Sequence, residues 1–359
     1  MTLVPHRTVA AQIAALLRSE ISRGRYGAFL PSERDLCLVV QSNRKTIRAA
    51  IQQLKAEGLV ETCRGIGNRI IAPQPRRAER LRKTIGLLLP GPLSSLRPFQ
   101  VCWIDELKQM LGRENCELEI HAGQQFYRAH PERALQRLVA DHRHEAWLLV
   151  FSSRAMQLWF QCKRVPCLIA GSVHADLALP FCDLDFQAVC RHAVGVLHRL
   201  GHRRIALLSH TDRWAGEINS ELGFMEGARA ISGGAIIGTI RRHEEGAQSL
   251  AQALKSLLHG SERPTGIIVS SSYVYLTVAG LLAQNGLRIP QDVSLISRDD
   301  DPFLEAVVPS PTRYASNSRR FARKVLGSLL QLARGQTVTP HGTYLLPKLI
   351  IGDSTTRVK

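Results

Sequence analysis

The sequence predicts an α/β protein in which a small, mainly helical N-terminal domain precedes a larger two-lobed body with parallel sheets. Positive charge is concentrated at the start, because residues 1–83 carry 16 Lys/Arg against 6 Asp/Glu in a chain of 359 residues and net charge +17. Helical periodicity dominates that segment. Beyond it, short apolar runs such as IGLLLP, WLLVFSS and GIIVSS alternate with helical segments. This pattern is typical of parallel strands covered on both faces.

Two helices are predicted at the start of the N-terminal domain. In the first, apolar residues recur at helical spacing and predict a core helix: Val9, Ile13, Leu16, Leu17 and Ile21. Gly24 supplies a stop signal for it. Ser32, followed three residues later by Asp35, predicts the N-terminal cap of a short second helix.

A third helix begins after Asn43, which can cap it. One face is apolar at spacing i, i+3, i+4 and i+7: Ile47, Ala50, Ile51 and Leu54. Gly58 ends this helix, and GLVETCRGIGNRII then predicts a hairpin whose loop contains Gly65 and Gly67. The order helix, helix, helix, hairpin indicates a winged helix-turn-helix.

Basic side chains near the start of the third helix either form a solvated face or contact DNA in the major groove. The basic hairpin and the arginine on the second helix favour DNA over ordinary solvation. The GxG of the hairpin is a weak phosphate-loop signal without a following lysine, and a wing turn is the better interpretation. We therefore predict these DNA-binding residues: Arg34, Asn43, Arg44, Lys45, Thr46, Arg48, Arg64, Gly67 and Asn68.

The predicted boundaries follow from composition. Residues 1–72 form the winged helix-turn-helix domain, residues 73–83 a basic, proline-containing linker, and residues 84–359 the body. About 275 residues are too many for one modest α/β layer, so we expect two lobes with a cleft between them. Ligands of such folds bind at the carboxyl ends of the strands. Phe99 and Trp214 could stack on a ligand there, or could equally be core aromatics.

Two stretches carry a resemblance to known families. LPSERDLC and SNRKTIRAAIQQLKAEGLVETCRGIGNRI, within residues 5–71, resemble the DNA-binding domain of GntR-type bacterial regulators, with Asn43 replacing the usual serine. LHRLGHRRIALLSH and GLRIPQDVSLISRDDDP, within residues 84–354, resemble the periplasmic-binding-protein-like effector domain of LacI-type repressors. The pairing of these two domains is similar to that in regulators of arabinose use.

The resemblance implies a small polar effector, such as a sugar, in the cleft. Asp299 matches a ligand position of the LacI-type family, whereas Ser220 stands where that family usually has an effector-binding arginine and Ser272 where it usually has an aspartate. By analogy Asp185 is a cleft carboxylate, although local chemistry also suits a helix N-cap. The predicted effector-binding residues are Phe99, Asp185, Trp214, Ser220, Ser272 and Asp299.

Several classes of function and site are not indicated. The chain has no GxSxG, HExxH, P-loop or kinase motif, so we predict neither an enzyme nor a cofactor. Eight scattered cysteines form no CxxC pair or Cys/His cluster at zinc spacing, and the histidines of GHRR and HRHE are interpreted as surface or strand-lead residues, so no metal site is predicted. No apolar run approaches the roughly 20 residues of a membrane helix, which favours a cytoplasmic protein.

These observations lead to two functional hypotheses. The first is a transcription regulator, a repressor, that binds a palindromic DNA operator as a homodimer and responds to a small effector in the cleft. The second is a solute-binding type of module that attaches to DNA nonspecifically or binds no ligand, since serines at positions 220 and 272 lack the charges that would fix sugar hydroxyls.

Overall fold

The computed structural model describes residues 8–22, 25–40, 42–63, 67–71, 83–231, 236–259 and 262–358. The chain divides into two compact units, Met1–Leu81 and Arg82–Lys359. We call the first the head and the second the body. Among the described residues, no helix combines the length and the apolar character needed to cross a membrane.

The described residues of the head form three helices and a hairpin, which confirms the predicted order. The helices are α1 (Val9–Ser22), α2 (Glu33–Val39) and α3 (Arg44–Ala56). Strands β1 (Val60–Cys63) and β2 (Gly67–Ile70) pair in antiparallel fashion. Gly24, Arg64 and Gly65 lie outside the described residues.

The head core confirms the predicted apolar face of α3, whose four residues are at most 3% exposed. Both caps are also confirmed: Ser32 accepts a hydrogen bond from the Asp35 amide, and Asn43 accepts one from the Thr46 amide. The prediction for α1 was partly wrong, because Val9 and Leu16 are 60% and 48% exposed. Since α1 packs against α3 through a narrow stripe that includes Leu17, these two side chains lie outside the contact.

The N-terminal lobe of the body contains a parallel sheet of six strands among the described residues, in the order β13-β7-β6-β5-β3-β4. Helices α4 and α11 cover one face, and α5 and α6 cover the other. The elements are β3 (Lys83–Leu89), α4 (Pro98–Arg113), β4 (Cys116–Ala122), α5 (Glu132–Asp141), β5 (Ala146–Val150), α6 (Arg154–Lys163), β6 (Cys167–Ala170), β7 (Phe181–Leu184), α11 (Ser318–Ala333) and β13 (Gly342–Leu345).

The C-terminal lobe has a second six-stranded sheet within the described residues, in the order β14-β12-β11-β10-β8-β9, and only the β12–β14 pair is antiparallel. Helices α7 and α8 cover one face, and α9 and α10 the other. The elements are α7 (Phe186–Arg199), β8 (Arg204–His210), α8 (Ala215–Ala230), β9 (Ile237–His243), α9 (Ala247–Leu258), β10 (Gly266–Val269), α10 (Ser272–Gln284), β11 (Ser294–Ser297), β12 (Thr312–Ala315) and β14 (Lys348–Ile350).

Between the described elements of the body, the backbone passes from one lobe to the other three times. It does so from β7 to α7, from β12 to α11 and from β13 to β14. Helix α11 therefore packs on the N-terminal lobe although it follows five strands of the other lobe, β8 to β12. Phe321 of α11 lies 5.2 Å from Trp103 of α4 between ring centroids. The predicted architecture of two covered parallel sheets is confirmed.

Candidate nucleic-acid interface and ligand cleft

Helix α3 presents a basic surface at its N-terminal end. Asn43 Oδ1 accepts hydrogen bonds from both the amide and the hydroxyl of Thr46, each at 2.9 Å, so the helix starts at Arg44. Arg44, Lys45 and Arg48 are exposed, on the side opposite the buried face of the helix. An exposed, positively charged helix start is the geometry that helix-turn-helix proteins insert into the major groove.

Glu33 of α2 orients the two arginines of this surface. Its carboxylate accepts hydrogen bonds from Arg48 Nε at 2.9 and 3.1 Å, and its Oε2 atom lies 3.6 Å from Arg44 Nε. The side chains of Arg44 and Arg48 nevertheless remain 66% and 64% exposed. Ion pairs this exposed contribute about 1 kcal/mol or less, so phosphate can replace the glutamate at little cost.

The remaining predicted DNA-binding residues lie on α2 and on the hairpin. Arg34 is exposed on α2, and Gly67 starts β2 with φ of +133°, a conformation that favours glycine. Thr62 Oγ1 donates to Asn68 Oδ1 at 3.3 Å, so the Asn68 side chain pairs across the hairpin. Arg64 lies outside the described residues.

A cleft of about 550 Å³ separates the lobes of the body. Residues that follow the carboxyl ends of strands in both lobes line it, as expected for open parallel sheets. Phe99, Trp214 and Asp299 are among them, so three of the six predicted effector-binding residues meet at one cavity. Trp214 stacks on His210 with ring centroids 5.3 Å apart and an interplanar angle of 9°, which fixes the orientation of the indole.

The other three predicted residues are not among the described residues that line the cleft. Asp185 accepts a hydrogen bond from the Ala188 amide at 2.9 Å and so caps α7. Of the two roles suggested by the sequence, cleft carboxylate and helix N-cap, it has the second. Ser220 and Ser272 are fully buried. Their hydroxyls are used within the protein, because Ser220 donates to the Gly216 carbonyl and Ser272 donates to Asp301.

A buried arginine that we did not predict, Arg298, forms part of the cleft wall. Its Nη1 donates to Glu217 Oε1 at 2.9 Å and to Ser220 Oγ at 2.6 Å, and its Cζ lies 4.1 Å from the centroid of the Phe186 ring. Burial by itself lowers the pKa of Arg298, but the carboxylates of Glu217 and Asp299 raise that pKa overall. Arg298 thus brings a guanidinium to Ser220, the position where the LacI-type family usually has an arginine of its own.

A second unpredicted arginine, Arg97, connects the two lobes. It extends from the N-terminal lobe and donates to Asp299 of the C-terminal lobe. Its Nε also lies 3.7 Å from Asp301 Oδ2, and Asp301 Oδ1 accepts from the Phe99 amide at 2.8 Å. Asp299 is therefore engaged by protein arginines, and Asp301 holds the start of α4 against the opposite lobe.

Asp183 contributes a carboxyl group with an unusual pKa to the cleft. Burial raises the pKa of Asp183 to about 7, although hydrogen bonds from Ser172 and from the Leu184 amide oppose the rise. Ser172 Oγ also accepts from Asn219 Nδ2 of the other lobe at 3.2 Å. The cleft thus combines aromatic rings, paired ions and a titratable acid, which suits a small polar ligand.

Two protein-family models match the chain. The model described as bacterial regulatory proteins of the gntR family matches residues 9–70. The model described as a periplasmic binding protein-like domain matches residues 194–355. These matches confirm both resemblances identified in the sequence.

Relatives with curated descriptions are transcription regulators. A probable opine utilization operon repressor of Rhizobium rhizogenes is 31% identical over 174 residues, which cover 46% of this chain and 87% of the relative. The arabinose metabolism transcriptional repressor of Geobacillus stearothermophilus is 21% identical over 336 residues, 92% of each chain. The chain spans about half the length, 55–56%, of several Streptomyces regulators. Since regulators of this class are not enzymes, the prediction of a noncatalytic protein is confirmed.

Solved structures of regulators share the fold. The complex of the transcriptional regulator CelR with cellobiose aligns with a TM-score of 0.67 over 90% of this chain and 100% of that chain, at 18% sequence identity. At this identity the likeness establishes the fold alone.

Proposed function

The chain belongs to the bacterial transcription regulators that join a GntR-type DNA-binding domain to a LacI-like, periplasmic-binding-protein-like domain, and from this premise we propose that it represses transcription from an operator under the control of a small polar effector. The observation that carries the proposal is the capped, exposed basic start of α3. As a DNA-binding regulator it would act in the cytoplasm.

Within this proposal, α3 enters the major groove. Arg44 and Arg48 exchange Glu33 for phosphates or base edges, with Lys45 and Thr46 beside them. Arg34 contributes a further phosphate contact, and the hairpin residues Arg64, Gly67 and Asn68 approach the adjacent minor groove. Two heads about 34 Å apart would read a palindromic site, so the active species is a homodimer.

The effector proposal rests on the chemistry of the cleft. Trp214 and Phe99 offer rings for stacking, and Arg298, Asp299 and Asp183 offer charged or titratable hydrogen-bonding groups. This mixture fits a carbohydrate or another polyhydroxy compound, and one regulator of the same fold was solved with cellobiose. The effector would act by binding better to one arrangement of the lobes and heads than to another.

DNA binding is tested by selecting fragments of the source organism's genomic DNA at near-physiological salt with excess competitor. We expect one palindromic sequence to be enriched. The double variant Arg44→Ala/Arg48→Ala should then lose at least about tenfold in affinity for that sequence, with a shallower salt dependence, because each arginine contact is worth about 1–3 kcal/mol. Lys55→Ala is the matched control, since it removes a positive charge from the other end of the same helix. Equal affinity of all three proteins would refute the proposal.

A second candidate is a body without a ligand, and one observation favours it. The charged groups of the cleft already pair with one another, Arg298 with Glu217 and Arg97 with Asp299, so a ligand must compete with these pairs. Thermal unfolding in the presence of a panel of sugars, nucleosides and organic acids distinguishes an effector-binding body from a body without a ligand. A compound that binds the native state raises the stability of the protein. Trp214→Ala should abolish any shift, whereas Ile237→Ala, an exposed apolar control on the same lobe, should retain it.

A further inference from the structure

Four side chains with metal-binding atoms meet on the N-terminal lobe. Glu119 and His121 come from β4, and His142 and His144 come from the loop between α5 and β5. One ligand atom from each residue lies within 4.8 Å of the others. From this convergence we propose a binding site for a divalent first-row transition metal of the Zn²⁺ type, because three imidazoles and one carboxylate are ligands that such ions prefer. None of the four residues lines the cleft between the lobes.

Strand alternation and one glycine build this site. Glu119 and His121 are two residues apart on β4, so both side chains point to the same face of the sheet. Gly86 of β3 pairs with Glu119 on one side and with Trp147 of β5 on the other. A Cβ at Gly86 would lie 2.5 Å from Cδ2 of His144, so the missing side chain leaves the space that this imidazole fills.

Hydrogen bonds orient the most buried ligand. Thr84 Oγ1 donates to the Arg143 carbonyl at 3.2 Å, and its oxygen lies 3.0 Å from His144 Nδ1. Because the hydroxyl proton is already used, the oxygen accepts from Nδ1–H and leaves the lone pair of His144 Nε2 pointing into the cluster. Such an outer partner, which fixes the tautomer and the ring orientation, is typical of metal-binding histidines.

Two of the four side chains are buried and two are exposed, so the site has an inner side and a side that an ion can reach from solvent. The side chains of His121 and His144 are 8% and 2% exposed, whereas those of His142 and Glu119 are 38% and 47% exposed. His121 Nε2 and His144 Nε2 lie 2.8 Å apart, and a tetrahedral ion would hold them roughly 3.3 Å apart. The rings therefore need to separate by about half an ångström, and the exposed ligands can move to meet the ion.

The alternative is an imidazole cluster that only packs against Trp147, whose ring lies 4.7 Å from His144 and 5.2 Å from His121 between centroids. Ring packing explains the two buried imidazoles, and it also accounts for His142, whose ring lies 4.4 Å from that of His121 between centroids. It does not explain the Glu119 carboxylate, which lies 3.4 Å from His142 Nδ1 and 3.7 Å from His121 Nε2. The convergence of this carboxylate with three imidazoles favours the metal site.

Calorimetric titration of chelator-treated, full-length protein with ZnCl₂ tests the proposal, followed by Co²⁺ absorption spectroscopy for coordination geometry. We expect one ion per chain, a visible Co²⁺ spectrum of tetrahedral type and a higher melting temperature with the ion. Thr84→Val should weaken binding about 10–100-fold without removing a ligand. His142→Ala and Glu119→Gln should also weaken binding, and because both side chains are substantially exposed these variants keep the fold.

His130→Ala is the matched control, since it removes an exposed histidine of the same lobe outside the cluster. Unchanged binding in His142→Ala and Glu119→Gln, or equal loss in His130→Ala, would overturn the site. No stoichiometric binding by the wild-type protein would overturn it as well. The readouts involve neither DNA nor an effector, so the result is independent of the proposed regulatory function.

Discussion

The head and the body each use an arginine–glutamate pair, and the two pairs differ in burial. Arg48 and Glu33 of the head form an ion pair with the arginine 64% exposed, whereas Arg298 and Glu217 of the body pair with side chains 7% and 10% exposed. Water and salt screen the first pair, and neither reaches the second to the same degree. An exposed pair can exchange its partner for DNA, while a buried pair is committed to holding its surroundings together.

The largest expected effect comes from breaking the buried pair. Glu217→Gln leaves the charge of Arg298 buried without its main counterion, so we expect a loss of about 3–5 kcal/mol in the free energy of unfolding of the body. Urea unfolding of the full-length protein measures it. Adding Arg298→Met to Glu217→Gln should recover part of the loss because it removes the stranded charge. A loss below about 1 kcal/mol would make the two pairs equivalent and remove the contrast.

A smaller effect is expected from pH at Asp183, near Arg298. Its folded pKa of about 7 exceeds the value of about 3.9 for an unfolded chain, so the folded state holds this proton more tightly. The contribution to stability is complete below pH 4 and is lost as pH rises through 7, with about 2 kcal/mol lost between pH 5 and pH 7.

Asp183→Asn carries no titrating group and serves as the reference for this measurement. As pH rises from 5 to 7, the free energy of unfolding of the wild type should fall by about 2 kcal/mol relative to that of Asp183→Asn. A constant difference across this range would show that the folded and unfolded pKa values of Asp183 are alike.

The smallest effect is expected at the exposed pair. Glu33→Gln should change the free energy of unfolding by less than about 1 kcal/mol, because the arginines stay solvated without it. Its effect on DNA binding should appear as a loss of specificity. Arg44 and Arg48 lose a fixed orientation while a negative charge disappears beside the DNA, so the ratio of specific to nonspecific affinity should fall by about two- to fivefold. Competition binding with operator and random DNA measures the ratio, and an unchanged ratio would contradict the orienting role of Glu33.

The same contrast explains what the sequence could predict. The elements of the head depend on neighbours a few residues apart, such as Asn43 with Thr46, so caps and apolar spacing predicted them correctly. The alternation of strands and helices predicted the architecture of the body for the same reason. Only α1 was partly misread, because periodicity does not say how wide the buried stripe of a helix is.

The cleft was harder to predict because its contacts join distant segments. Arg97 meets Asp299 across 202 residues of sequence, and no local pattern marks this pairing. Ser220 and Ser272 were placed at the cleft by family position, but packing turns their hydroxyls toward Gly216 and Asp301. The histidine cluster did carry a signal, since both its pairs have spacing i, i+2, but only the register of β4 beside β3 shows that the pairs meet.

The three backbone passages between the lobes have a mechanical consequence. A single connection would let the lobes twist, slide and bend freely, whereas three side-by-side connections oppose twisting and sliding and leave rotation about their common line as the softest coordinate. Any molecule held in the cleft, and any change in the Arg97 bridge, therefore acts on one angle. Chemically different ligands would therefore affect the rest of the protein only through the angle between the lobes.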